Sequence, residues 1–197
     1  ESAMATIVLG ICGSIAAYKA ASVASQLVKL GHEVHCVCTP AALHFVTPLT
    51  LMTLSRNPVI TTFDDETGSW VPVHIDLAQR ADLLAIVPAS ANTMACMTHG
   101  QCPNALTSLY LAYRGPVLIF PAMNGLMWDH PATQANAATL AAQTGGRGAM
   151  SIRLAGYREC PLEKGTTTPR RSVDPLDTSK YILAARSALE GGIFNLE

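Results

Sequence analysis

Charge is scarce in this chain. Asp, Glu, Lys and Arg make up 14% of the residues and nearly cancel, leaving a net charge of −1. With no basic excess, there is no electrostatic footprint for nucleic acid. Long apolar runs are missing too. TIVLGICGSIAAYKAA, starting at residue 6, is interrupted by Gly10, Gly13 and Lys19, and it falls short of the ~20 residues a membrane span needs. It also lacks the basic start of a secretory signal. No C-x-x-C pair occurs, and no metal site is expected. G-x-G-x-x-G and G-x-x-x-x-G-K-[ST] are both absent, which removes the usual dinucleotide fingerprint and the phosphate-loop NTPases.

What remains is a chain of 197 residues, 49% of them hydrophobic. That is a comfortable single domain with room for a sizeable core. Low charge and an Ala-rich make-up point to covered surface, and self-association is the simplest cover. Six cysteines stand at 12, 36, 38, 96, 102 and 160, mostly among apolar residues. They read as reduced thiols of a cytoplasmic protein that behave as small hydrophobes. Glu1 to Ala3, ahead of Met4, read as an expression remnant, which leaves one domain over 4–197.

Hydrophobic periodicity orders the chain. Residues 6–13 form a short apolar strand ending in glycine, and 14–31 follow at helical spacing with Ser14 as a cap and Gly31 as a stop. Residues 32–39 alternate as a second strand. A helix is expected over 40–55, opened by one proline and interrupted by Pro48. Residues 57–73 are irregular, with the acidic loop DDETGS at the tip, and 74–81 form a short helix. The run DLLAIVP (82–88) is a third strand. Two helical pieces follow, split by Gly100 and Pro103. A fourth strand runs over 116–124, then helices over 131–145 and 179–189. Strands alternating with helices, each strand nearly continuous in apolar residues, predict a parallel sheet covered on both faces: one doubly wound α/β domain. Residues 146–178 show weak periodicity and read as a connection or a mobile flap over a site.

In such folds ligands sit at the carboxyl ends of the strands. Here those ends are GICGS, CTPAA, PASANT and PAMN, all small and polar. Gly13 and Ser14, at a helix start, can take one phosphate through backbone N–H groups and a hydroxyl. The same turn also fits an ordinary strand-to-helix junction. As a cofactor, a mononucleotide such as FMN suits it better than NAD.

Four stretches carry a resemblance: GSIAAYK (13–19), HIDLA (74–78), PASANT (88–93) and PAMNGLMW (121–128). Through them the chain resembles the flavin-containing cysteine decarboxylases over about residues 5 to 145. That family includes phosphopantothenoylcysteine decarboxylase of coenzyme A synthesis and the peptidyl-cysteine decarboxylases of peptide natural products. The resemblance implies a Rossmann-like fold, bound FMN, and trimers or a dodecamer of trimers with active sites between subunits. It implies His74 and Asn124 as catalytic residues. It places Gly13, Ser14, Ile15, Thr39, Phe45, Ser90, Ala91, Asn92 and Thr93 at the FMN. Met123, Asn124, Met127 and Trp128, with Arg171 of the flap, fall on the substrate side. His32, His35, His44, His99 and His130 have no motif support.

The implied chemistry suits these residue types. A cysteine carboxylate has no electron sink, so loss of CO2 would leave an unstabilised carbanion. Oxidation of the thiol to a thioaldehyde, with FMN taking the hydride, creates one. An imidazole such as that of His74 can move the protons. A neutral amide such as that of Asn124 can hold the carboxylate without the ion pair that would resist its loss.

The resemblance weakens in AGYRECPLEKGTTTPRRSVDP (155–175). The coenzyme A enzymes carry a reducing cysteine in their flap. Counting back from Arg171 puts Lys164 there, with Cys160 four residues upstream. Peptidyl-cysteine decarboxylases need no such cysteine. The sequence alone therefore favours oxidative decarboxylation of a Cys-terminated peptide to an enethiol. Phosphopantothenoylcysteine decarboxylation is the alternative. A non-catalytic flavin-binding regulatory subunit is a third reading.

Overall fold

A computed structural model describes residues 4–63, 71–144 and 178–190. Its centre is a four-stranded, all-parallel sheet in the order β2-β1-β3-β4, formed by β1 (Thr6–Ile11), β2 (Glu33–Cys38), β3 (Leu83–Ala89) and β4 (Val117–Pro121). Ile7 pairs with Val34 on one side and with Leu83 on the other, so β1 is interior. Every residue of β3 is buried. This is the doubly wound α/β architecture the apolar runs predict.

Alternation along β1 divides the core in two. Ile7, Leu9 and Ile11 face a cluster that contains Ala20, Ala24 and Leu27 of α1 (Ala17–Lys29) and Leu51 of α2 (Pro48–Ser55). Val8 and Cys12 face the other cluster. That cluster is closed by α3 (Val73–Arg80), α4 (Ala91–Thr98), α5 (Ala105–Ala112) and α7 (Pro131–Thr144), through residues such as Leu77, Met94, Leu106 and Leu140. The last helix, α8 (Ser179–Leu189), returns to the first face. There Tyr181 meets Phe120 of β4 edge-on, ring centroids 4.8 Å apart.

Local signals explain most element ends. Gly31 takes φ +89°, the left-handed conformation that stops a helix cheaply. Pro48 is the first residue of α2, where its missing N–H costs nothing, and Thr47 caps that helix by accepting from the Thr50 amide. The helix expected over 40–55 is thus two pieces: a 3₁₀ turn at Pro40–His44 and then α2. Ser14 does not cap α1. The N-cap is Ala16, without a side-chain cap bond; the Ser14 hydroxyl donates to the Ala122 carbonyl at 3.0 Å and accepts from the Ala16 amide at 3.4 Å, ahead of the helix. The sequence also gave no sign of α6 (Gly125–Asp129), a single turn too short to show a period. The DDETGS loop, Arg171, Lys164, Cys160 and nearly all of the expected flap lie outside the described residues. No helix among the described residues is long and apolar enough to cross a membrane.

Candidate functional site

The sheet order reverses between β1 and β3, which opens a crevice beyond their carboxyl ends. A cavity of about 550 Å³ lies there. Gly13 lines it from the β1–α1 turn; Thr39, Pro40 and Ala41 from the turn after β2; Ser90 through Thr93 from the end of β3. Pro103 and Asn104, before α5, and Met127 of α6 complete the wall. No described residue of this lining carries a formal charge, so within it an anion meets only neutral donors.

Close packing sets the two turns at the mouth. A Cβ on Gly13 would lie 2.5 Å from the Ala41 Cβ and 3.0 Å from its carbonyl carbon. Only glycine lets the turns approach this far. The strand ends are also bonded to one another. The Cys12 amide donates to the Pro88 carbonyl at 3.1 Å, Thr39 to Ile11 at 2.9 Å, and Ala122 to Ala89 at 3.0 Å. The backbone N–H groups of Gly13, Ser14 and Ile15 have no acceptor among the described residues. They precede α1, where the helix field favours an anion.

Side chains of PASANT divide their duties. Ser90 caps α4: its Oγ accepts from the Thr93 amide at 3.2 Å and donates to the Thr93 Oγ1 at 3.1 Å. Ser90 and Thr93, expected to face a ligand, therefore spend much of their bonding on the helix start. Asn92 is exposed on the cavity wall, while Ala91 adds only a methyl and backbone. Beneath them Cys12 is fully buried. Burial pushes its thiol up to about 11, against smaller opposing bonds from the Thr93 side chain and the Ser90 backbone, so it stays neutral near pH 7. Thr39 is 5% exposed, and its hydroxyl is buried without a partner among the described residues. An unpaired buried hydroxyl on a cavity wall is a place where a ligand can repay a desolvation cost.

The remaining expected residues are not gathered here. Ile15 and Phe45 are largely exposed, at 59% and 45%, and neither lines the cavity. The Ser14 hydroxyl is directed to Ala122, so the contribution of that residue to an anion is its amide. His74 is half-buried in the first turn of α3, with its ring edge-on to Phe63 at 5.8 Å. Asn124 caps α6, its Oδ1 accepting from the Leu126 amide at 2.8 Å. Neither His74 nor Asn124 is part of the cavity wall. Met123 and Trp128 pack against the second core cluster, whereas Met127 is exposed and lines the cavity. Pro103 and Asn104 are lining residues that the sequence reading missed, whereas Pro40 and Ala41 belong to the strand end CTPAA that it marked without naming them singly. The signal available for Asn104 was its place at the head of NALTSLYLAYR, where it reads as a cap.

Comparison with known proteins agrees with this geometry. The Flavoprotein family model matches residues 1–165. A probable phosphopantothenoylcysteine decarboxylase of Streptococcus mutans is 48% identical over 136 residues, covering 68% of this chain and 76% of that protein. A coenzyme A biosynthesis bifunctional protein CoaBC of Vibrio parahaemolyticus is 41% identical over 172 residues, 86% of this chain. The chain spans only 41% of that longer relative. Among solved structures, the FMN-dependent cysteine decarboxylase SpaF superposes with a TM-score of 0.74 at 26% identity, over 94% of this chain and 95% of SpaF. A Cys-to-Ser mutant of a PPC decarboxylase complexed with pantothenoylaminoethenethiol gives 0.72 at 29% identity, over 95% of this chain and 100% of that one. With its parallel sheet, its crevice at the β1/β3 reversal and these matches, the chain belongs to the Flavoprotein family, among the FMN-dependent cysteine decarboxylases.

Proposed function

We propose that the chain binds FMN in the β1/β3 cavity and decarboxylates phosphopantothenoylcysteine. The observation that carries the substrate is the 48% identity to a probable phosphopantothenoylcysteine decarboxylase, across three quarters of that protein. It outweighs the expectation of a peptide substrate drawn from residues 155–175. The wall fits FMN on three counts: amides without acceptors at Gly13 to Ile15, an orphaned hydroxyl at Thr39, and a neutral lining. The Gly13, Ser14 and Ile15 amides would hold the phosphate, with Thr39 and Asn92 as further donors. Bound FMN would supply the hydride acceptor that gives the substrate its electron sink.

His74 would handle the thiol and product protons, and Asn124 would hold the carboxylate through a neutral amide. Both lie off the single-chain cavity, which supports a site completed between copies in a trimer or a larger assembly. Ile15, Phe45, Leu49 and Met52 are exposed apolar side chains, as a self-associating chain would require.

A second reading keeps the peptide substrate. It is favoured by Lys164 at the sequence position where a reducing cysteine is expected. Mass spectrometry of the FMN-loaded chain with both substrates tests the choice. The proposal expects CO2 loss from phosphopantothenoylcysteine. Turnover of the Cys-terminated peptide alone would transfer the assignment to the second reading, and turnover of neither would remove both.

A further inference from the structure

Asn104 occupies a place in the cavity that its structural role does not fill. It caps α5 in a reciprocal box: Oδ1 accepts from the Thr107 amide at 3.1 Å and the Thr107 hydroxyl at 3.2 Å, while the Asn104 amide reaches the Thr107 Oγ1 at 3.4 Å. All of these bonds use Oδ1 or backbone. The carboxamide Nδ2 has no acceptor among the described residues, although the side chain is half-buried and lines the 550 Å³ cavity. A cap alone does not call for this amide, since Ser or Asp caps about as well. With Oδ1 held twice, the plane of the carboxamide is fixed and its N–H2 is pre-aimed. Thr39 lines the same wall, and its buried hydroxyl has no partner among the described residues. Among the described residues the lining holds no Lys or Arg, so the donors it offers a ligand's oxygens are neutral.

We propose that Asn104 is a binding residue of this cavity, its fixed N–H2 donating to an oxygen of the flavin cofactor, on the ring or the phosphate. The inference rests on the flavin reading above. Asn104→Asp separates the two duties of the residue. It keeps the cap and suits the positive end of the helix, but it replaces the donor with a carboxylate that repels an oxygen acceptor. Flavin-free full-length chain is titrated with FMN, and its melting is followed separately. The expected result is an FMN Kd raised at least ~10-fold in Asn104→Asp and several-fold in Asn104→Ser, with native melting in both. Riboflavin, which lacks the phosphate, shows which oxygen is held: a retained penalty points to the ring and a lost penalty to the phosphate. Native FMN affinity in variants that melt like the native chain overturns the proposal. If Asn104→Asp fails to fold, Asn104→Ser decides. A native chain that binds no FMN defeats the flavin reading itself, a result distinct from a failure of Asn104.

Discussion

Two parts of the polar edge of the sheet contrast sharply. The wall between the β1 and β3 ends is complete within one chain. Its turns touch at Gly13 and Ala41, its strand ends bond to each other, and Ser90 and Asn104 brace its helix starts. The helix starts that carry His74 and Asn124 are folded just as regularly, yet neither residue lines that cavity. A cofactor pocket is built where the chain reverses direction. His74 and Asn124, the residues proposed for proton transfer and carboxylate binding, are not part of that wall.

This separation predicts mutations that act on one half only. The largest effect should come from His74→Asn: FMN stays bound, while CO2 release from phosphopantothenoylcysteine is abolished. Loss of flavin together with turnover, or turnover at the native rate, would break the division. Next is Gly13→Ala. Its methyl would meet Ala41 at 2.5 Å, so the turns must part. FMN retention on gel filtration should fall at least ~10-fold, and stability should drop by about 1–3 kcal/mol in denaturant melts. Smallest is Ser90→Ala, which removes the α4 cap and should cost about 1 kcal/mol. Its effect on FMN affinity should be weaker than that of Gly13→Ala, because the Ser90 hydroxyl is already engaged with Thr93. A larger affinity loss in Ser90→Ala would make Ser90 a direct ligand as well as a cap.

The sheet was legible in the sequence because its strands are short apolar runs ending in small polar residues. β3 is buried over its whole length, as its composition implies. The Gly31 stop and the proline starts were legible for the same local reason. Ser14 was misread because its partner, the Ala122 carbonyl, is 108 residues away. No local rule reveals a bond of that reach. Asn104 was passed over for the opposite reason: its cap signal is local and ordinary, and only the folded cavity shows an unused amide beside it. The expected roles of His74 and Asn124 came from motif resemblance, and their absence from the cavity wall could not have been read from either motif.

A flavin held by one chain in the β1/β3 crevice has a direct optical signature. The most direct test is a visible-absorbance titration of the flavin-free full chain with FMN, with the stoichiometry taken from the break point. The account predicts saturable binding of about one FMN per chain, with flavin bands perturbed from those of free FMN by the neutral wall. A spectrum that stays the sum of its parts at every ratio would contradict it.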